Sequence, residues 1–112
     1  MDDLDAHLQA NEALVDQRLE MGDLAEVPRQ LDHFALFPRR AVDAAVAELT
    51  SAGFTVDGVR RGLRRARVEF SRTDRADFAT ADAFTRQIVG LTSRHGGTYD
   101  GWAGFIVTDA PA

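Results

Sequence analysis

Apolar positions recur along this chain with two periods, and the switching between them sets out the elements. Leu4, Leu8, Val15 and Leu19 fall near one stripe of a helix from about Asp3 to Met21, with Asp and Glu on the other faces. Gly22 ends it, and Pro28 closes the connection that follows. Arg29 to Phe37 reads as a strand stopped by Pro38. Ala41 to Ala52 is helical, because Val42, Ala45, Val46 and Leu49 stand at i, i+3, i+4 and i+7, and Gly53 supplies the C-terminal cap. Phe54 to Gly58 alternates as a short strand. Gly62 lies in the turn before a second strand, Arg64 to Ser71, where Ala66, Val68 and Phe70 share a face. A helix capped by Thr73, Asp74 or Asp77 follows, with Phe78, Ala81, Phe84, Ile88 and Leu91 as its buried stripe and Gly96-Gly97 as its stop. Thr98 to Thr108 is the last strand.

The order is therefore a helix and then β-α-β-β-α-β. Two βα units joined through a central hairpin predict an α+β fold, the ferredoxin-like βαββαβ sandwich, with two helices on one face of a four-stranded antiparallel sheet. The first and third strands are central in that layout. Residues 1–21 are expected to form an acidic amphipathic helix and residues 22–112 the ferredoxin-like domain.

The first strand does not alternate as a strand with one wet face should. Leu31, Ala35 and Phe37 point one way and Phe34 and Leu36 the other; in the last strand Tyr99, Ala103, Phe105 and Val107 oppose Trp102 and Ile106. Two neighbouring strands apolar on both sides predict that the second face is partly covered, by the N-terminal helix, a second copy or a partner.

Composition narrows the class. At 112 residues the chain fits one domain with its own core. It has no cysteine, which removes disulfides, thiolate metal sites and thiol nucleophiles. The opening Met-Asp-Asp-Leu-Asp is acidic where a secretion signal is basic and apolar, and no apolar run approaches the ~18 residues of a membrane span; a cytoplasmic protein is expected. All 13 basic residues are arginine.

The net charge of −5 is unevenly spread. Residues 1–28 hold eight acids against Arg18, giving −7, while residues 29–112 hold twelve arginines against ten acids, giving +2. Arg60, Arg61, Arg64, Arg65 and Arg67 crowd one hairpin with no acid among them. This cluster suits carboxylate, phosphate or RNA. The acidic N-terminal segment is its electrostatic complement, expected to lie over it or to be displaced from it.

Catalytic patterns are lacking. His7, His33 and His95 have no metal-ligand spacing, so no metal or cofactor is expected. No serine lies in a nucleophile elbow, and Gly96-Gly97 follows a helix where a phosphate cradle would precede one. The third strand, Arg-Arg-Ala-Arg-Val-Glu-Phe, carries arginine where an RNA-recognition domain stacks bases on aromatics. A non-enzyme is the expectation.

The richest stretch runs from His95 to Phe105. Asp100-Gly101 predicts a bulge or tight bend within the last strand, with Trp102 either packed or anchoring a protein contact. Tyr99-Asp100-Gly101-Trp102 after the Gly-Gly helix end resembles the terminal signature of the ribonuclease E inhibitor RraB family. Gly22-Asp23 through Pro28-Arg29, Asp32-His33-Phe34 with Phe37, and Ala44-Ala45-Val46-Ala47-Glu48 through Gly53-Phe54-Thr55-Val56 resemble its earlier elements. The resemblance implies the same ferredoxin-like fold and a non-catalytic protein that binds an endoribonuclease and lowers its activity, altering RNA turnover. Tyr99, Asp100, Gly101, Trp102, Phe34 and His33 are the expected partner-binding residues, and the five hairpin arginines the expected contact for RNA, another anion or the acidic arm. The alternatives are an RNA- or anion-binding module and a self-associating domain, a homodimer formed through the second sheet face.

Overall fold

A computed structural model describes residues 3–109. Helix α1 (Leu4–Glu20) precedes strand β1 (Arg29–Pro38), a single 3-10 turn (Arg39–Ala41), α2 (Val42–Ser51), β2 (Thr55–Arg61), β3 (Arg65–Asp74), α3 (Phe78–Arg94) and β4 (Thr98–Ala103). The strands form one antiparallel sheet in the order β2-β3-β1-β4, the ferredoxin-like arrangement with β1 and β3 central. Asp3 caps α1 through Ala6 N–H, and of the three expected caps for α3 it is Asp77 that accepts from Thr80 N–H.

One face of the sheet is the core. Leu31, Ala35 and Phe37 of β1 and Ala66, Val68 and Phe70 of β3 are fully buried beneath Val42, Ala45 and Leu49 of α2 and Phe84, Ile88 and Leu91 of α3. The expected helix stripes hold except at their ends, where Phe78 and Leu19 stay exposed. On α1 the inward positions are Val15, Asn11 and Arg18; two polar residues replace the leucine expected there. The helix lies beside α3, against β4, with Asn11 donating to the Ala81 carbonyl and to Thr85 Oγ1.

Two expectations about β4 are corrected. The strand stops at Ala103 and does not run to Thr108, because side chains take over the backbone partners beyond it. Arg18 donates to the carbonyls of Gly104 and Phe105, and Asp23 accepts from Val107 N–H. Within the strand, Phe34 pairs with Gly101 but Ala35 pairs with Tyr99, so Asp100 is an extra, unpaired residue. This is the bulge expected at Asp100-Gly101, and Gly101 sits at φ +110°, where a side chain is strained. The bulge turns Tyr99 and Trp102 to the same side, so they do not oppose each other as strict alternation predicts.

Candidate functional site

Beneath the bulge lie two buried hydrogen-bonded pairs, Tyr99 with His33 and Trp102 with Asn11. The Tyr99 hydroxyl and His33 Nδ1 share a hydrogen bond of 2.8 Å in a pocket of rings: Phe70 stacks on the imidazole, and Phe54 and Phe84 meet it edge-on. Trp102 Nε1 donates to Asn11 Oδ1 at 2.9 Å, its ring meets Phe84 edge-on, and the Arg18 guanidinium lies 5.3 Å from its centroid. Burial, reinforced by the nearby Arg72 charge, pushes His33 down to about 3, so the imidazole is neutral at physiological pH. Burial also raises the Tyr99 hydroxyl well above the ordinary tyrosine range. Three of the six residues expected to meet a partner, His33, Tyr99 and Trp102, are thus buried. His33 is wholly enclosed, while the small exposed parts of Tyr99 and Trp102 line a groove beside α1.

The other three lie on the outer face or at its edge. Phe34 is half-buried in the middle of the sheet, with the Arg67 guanidinium 5.1 Å above its ring. Arg67 reaches on to the Asp100 carboxylate at 3.6 Å, and Gly101 is the cross-strand neighbour of Phe34. The bulge therefore pushes Asp100 out to meet Arg67, and the bare Gly101 leaves space beside it. A groove of about 390 Å³ opens there, from Phe34 and Arg67 over β4 to His7, Ala10 and Leu14 of α1. The second face is accordingly covered only by its own long side chains: α2 and α3 pack on the other face, and α1 lies beside α3. A half-buried aromatic under one arginine, beside a carboxylate and an open groove, suits a protein contact with an apolar centre and a charged rim.

The five hairpin arginines separate. Arg60 and Arg67 are direct cross-strand partners on the outer face, Arg61 turns to the α2 side and pairs with Asp43 at 2.9 Å, and Arg64 and Arg65 stand at the tip. The acidic helix does not lie over them, because α1 packs at the β4 edge and the hairpin is at the β2 edge. Arg67 alone of the five lines a groove shared with α1. The structure adds two arginines that sequence reasoning left out. Arg39 N–H donates to the Arg64 carbonyl at 2.9 Å and its guanidinium to the Gly62 carbonyl, which brings Arg39 and Arg40 to the same end of the sheet. Their position directly after a strand that pairs with the hairpin strand was the available signal.

A second set was also missed. Arg18, Asp23 and Arg29 are buried together, with Arg29 bonded to Asp23 at 2.7 Å and both arginines donating to the Phe105 carbonyl. Burial works against the Asp23 charge, but Val107 N–H and the two arginines outweigh it and hold the carboxyl below the usual carboxylate range. Among the described residues no three His, Asp or Glu side chains gather to hold a metal ion, and no helix is long and apolar enough to cross a membrane.

Among known families, the model described as regulator of ribonuclease activity B matches residues 8–103, from the first turns of α1 to the end of β4. No curated protein matches the chain.

Proposed function

From the premise that the chain belongs to the RraB family of regulators of ribonuclease activity, we propose that it binds an endoribonuclease and lowers its cleavage of RNA by contact, without chemistry of its own. The proposed contact is the outer face around Phe34, Arg67, Asp100 and Gly101, with the groove toward α1. His33, Tyr99 and Trp102 act as positioning residues: they lock the bulge that presents Asp100 and Gly101. We place this activity in the cytoplasm, where RNA turnover occurs.

The observation that carries the reading is the arrangement of Phe34 under Arg67, paired to Asp100. It puts a partly open aromatic and an orientable charge pair at the centre of the one sheet face that no core helix covers. A structural role for Phe34 would favour full burial, and its ring remains partly open.

The test is a cleavage assay with a purified endoribonuclease of the source cell and a fluorogenic RNA, titrated with this protein. Wild type lowers the initial rate in a saturable way. Arg67→Glu and Phe34→Ser each weaken that inhibition at least ~10-fold, the size of a lost ~1.4 kcal/mol contact, while Arg86→Glu on the exposed side of α3 leaves it intact. A rate unchanged by saturating wild-type protein sinks the proposal, as does inhibition indifferent to both outer-face substitutions.

A further inference from the structure

Two surface features lie away from the Phe34–Arg67 face, and the central strands carry them to opposite ends of the sheet. β1 and β3 pair Pro38 with Arg65 at one end and Arg29 with Asp74 at the other. At the first end the β2–β3 hairpin closes over Gly62, Leu63 and Arg64. Leu63 is 89% exposed, the most open large apolar side chain among the described residues, and it stands between Arg60-Arg61 and Arg64-Arg65. The tip is held: Gly62 N–H donates to the Arg65 carbonyl, and Arg39 ties down both Gly62 and Arg64. It is a fixed apolar knob inside a ring of cations.

At the other end, a groove of about 500 Å³ opens between the C-terminal half of α1, Ala25 and the first residues of α3. Val15, Leu19 and Phe78 give it an apolar lining, with Leu19 50% and Phe78 42% exposed. Glu12, Asp16 and Asp77 rim it. Asp77 is engaged in capping α3, whereas Glu12 and Asp16 have no ion-pair partner among the described residues. Arg60, Arg64 and Arg65 have none either. One end therefore carries an apolar knob with unpaired cations, and the other an apolar socket with unpaired anions.

We propose that the hairpin tip of one copy seats in the α1–α3 groove of a second copy. Leu63 packs against Val15, Leu19 and Phe78, and the flanking arginines meet Glu12 and Asp16. An RNA ligand would make use of the arginines but not of an exposed leucine at their centre; an acid-rimmed apolar socket makes use of both, and this chain carries one. Knob and socket are different patches, so the contact is heterologous. A pair as a whole keeps one free knob and one free socket, one on each copy, and association runs head to tail with no closed dimer. The charged part of the contact is screened by salt, since the Debye length falls from about 10 Å at 0.1 M to about 3 Å at 1 M.

The experiment is sedimentation velocity on the full chain over a wide concentration range, at low and high ionic strength. Wild type gives a weight-average mass that keeps rising with concentration past two chains and drops back in high salt. Leu63→Glu and Leu19→Arg, both at exposed positions, each abolish the rise, and an unchanged urea midpoint shows that the fold survives. The decisive sample is the equimolar mixture of the two variants. One retains a socket and the other a knob, so the mixture forms a one-to-one dimer and nothing larger. A wild type that stays monomeric overturns the proposal, and so does a mixture that stays monomeric. A closed dimer indifferent to both substitutions overturns it too, as does association that appears only when RNA is added. None of these readings depends on a ribonuclease, so failure here and failure of the proposed inhibition are separate results.

Discussion

His33 occupies the centre of the core as a neutral ring, and its neutrality makes the fold sensitive to acid. Its Nδ1 is satisfied by Tyr99, but Nε2 is buried with no hydrogen-bond partner. Protonation would place an N–H and a charge among Phe54, Phe70 and Phe84. The folded-state value near 3 lies below the ~6.5 of an unfolded histidine. The unfolded chain therefore binds the extra proton first, and the stability this residue contributes is full above about pH 6.5 and lost as pH falls toward 3. The expected slope is about 1.4 kcal/mol per pH unit within that window. Urea unfolding at pH 7.5, 5.5 and 4.5 measures it, and His33→Gln should flatten the dependence over the upper part of the window. A wild-type midpoint constant from pH 7.5 to 4.5 would contradict the assignment. The inward position was legible in the chain, since 31, 33, 35 and 37 share one side of a strand. What the strand pattern could not supply was the Tyr99 hydroxyl, which arrives from β4.

At the scale of elements, β4 shows how one residue redirects a strand. Asp100 is the extra residue between the Phe34–Gly101 and Ala35–Tyr99 pairings, and without it Tyr99 and Trp102 would be two residues apart and still share a face. Deleting Asp100 leaves that register regular, with Tyr99 on His33 and Trp102 on Asn11, and removes the carboxylate that meets Arg67. The expected change in stability is within about 1 kcal/mol, as for an exposed residue, read as the urea midpoint at constant slope. A loss of about 3–5 kcal/mol, the scale of removing a buried aromatic, would mean that the bulge itself holds Tyr99 or Trp102 in place. The Asp-Gly pair made the bulge readable in advance; its consequence for side-chain direction depends on pairing with β1 and was not. Helix α1 shows the converse error. Its leucines suggested a stripe through Leu19, but the buried face runs through Asn11, Val15 and Arg18, because polar side chains that find partners on α3, β4 and the segment beyond it can be buried.

Across the whole molecule, Asp23 joins the two ends of the chain. It accepts from Arg29 at the start of β1 and from Val107 beyond β4, while Arg18 of α1 lies 3.6 Å away. Asp23→Asn leaves two buried guanidiniums without their counter-charge, which costs about 3–5 kcal/mol. The expected signature is a lower urea midpoint together with faster amide exchange at Val107; unchanged exchange there would show that the segment is held by other contacts. Asp23 also titrates in the direction of His33 but lower. Its depressed carboxyl contributes stability above the ordinary range near pH 4 and loses it as pH falls through the folded value. Stability should therefore fall over two successive ranges of pH, that of His33 first.

Local periodicity was enough for the order of elements and the sheet face of β1 and β3, because a strand or helix repeats its burial every two or 3.6 residues whatever surrounds it; the family resemblance rested instead on motif residues, above all Tyr99-Asp100-Gly101-Trp102. The split of charge into an acidic first quarter and a mildly basic remainder was equally legible in the chain. Which face α1 buries, where its acids sit relative to the arginines and whether Trp102 is open or covered are properties of pairs far apart in sequence. Asn11 with Trp102, Arg18 with Phe105 and Arg39 with Arg64 meet only after the sheet has closed. Tertiary structure alone decided them, because a buried polar group is tolerated only where a distant partner satisfies it.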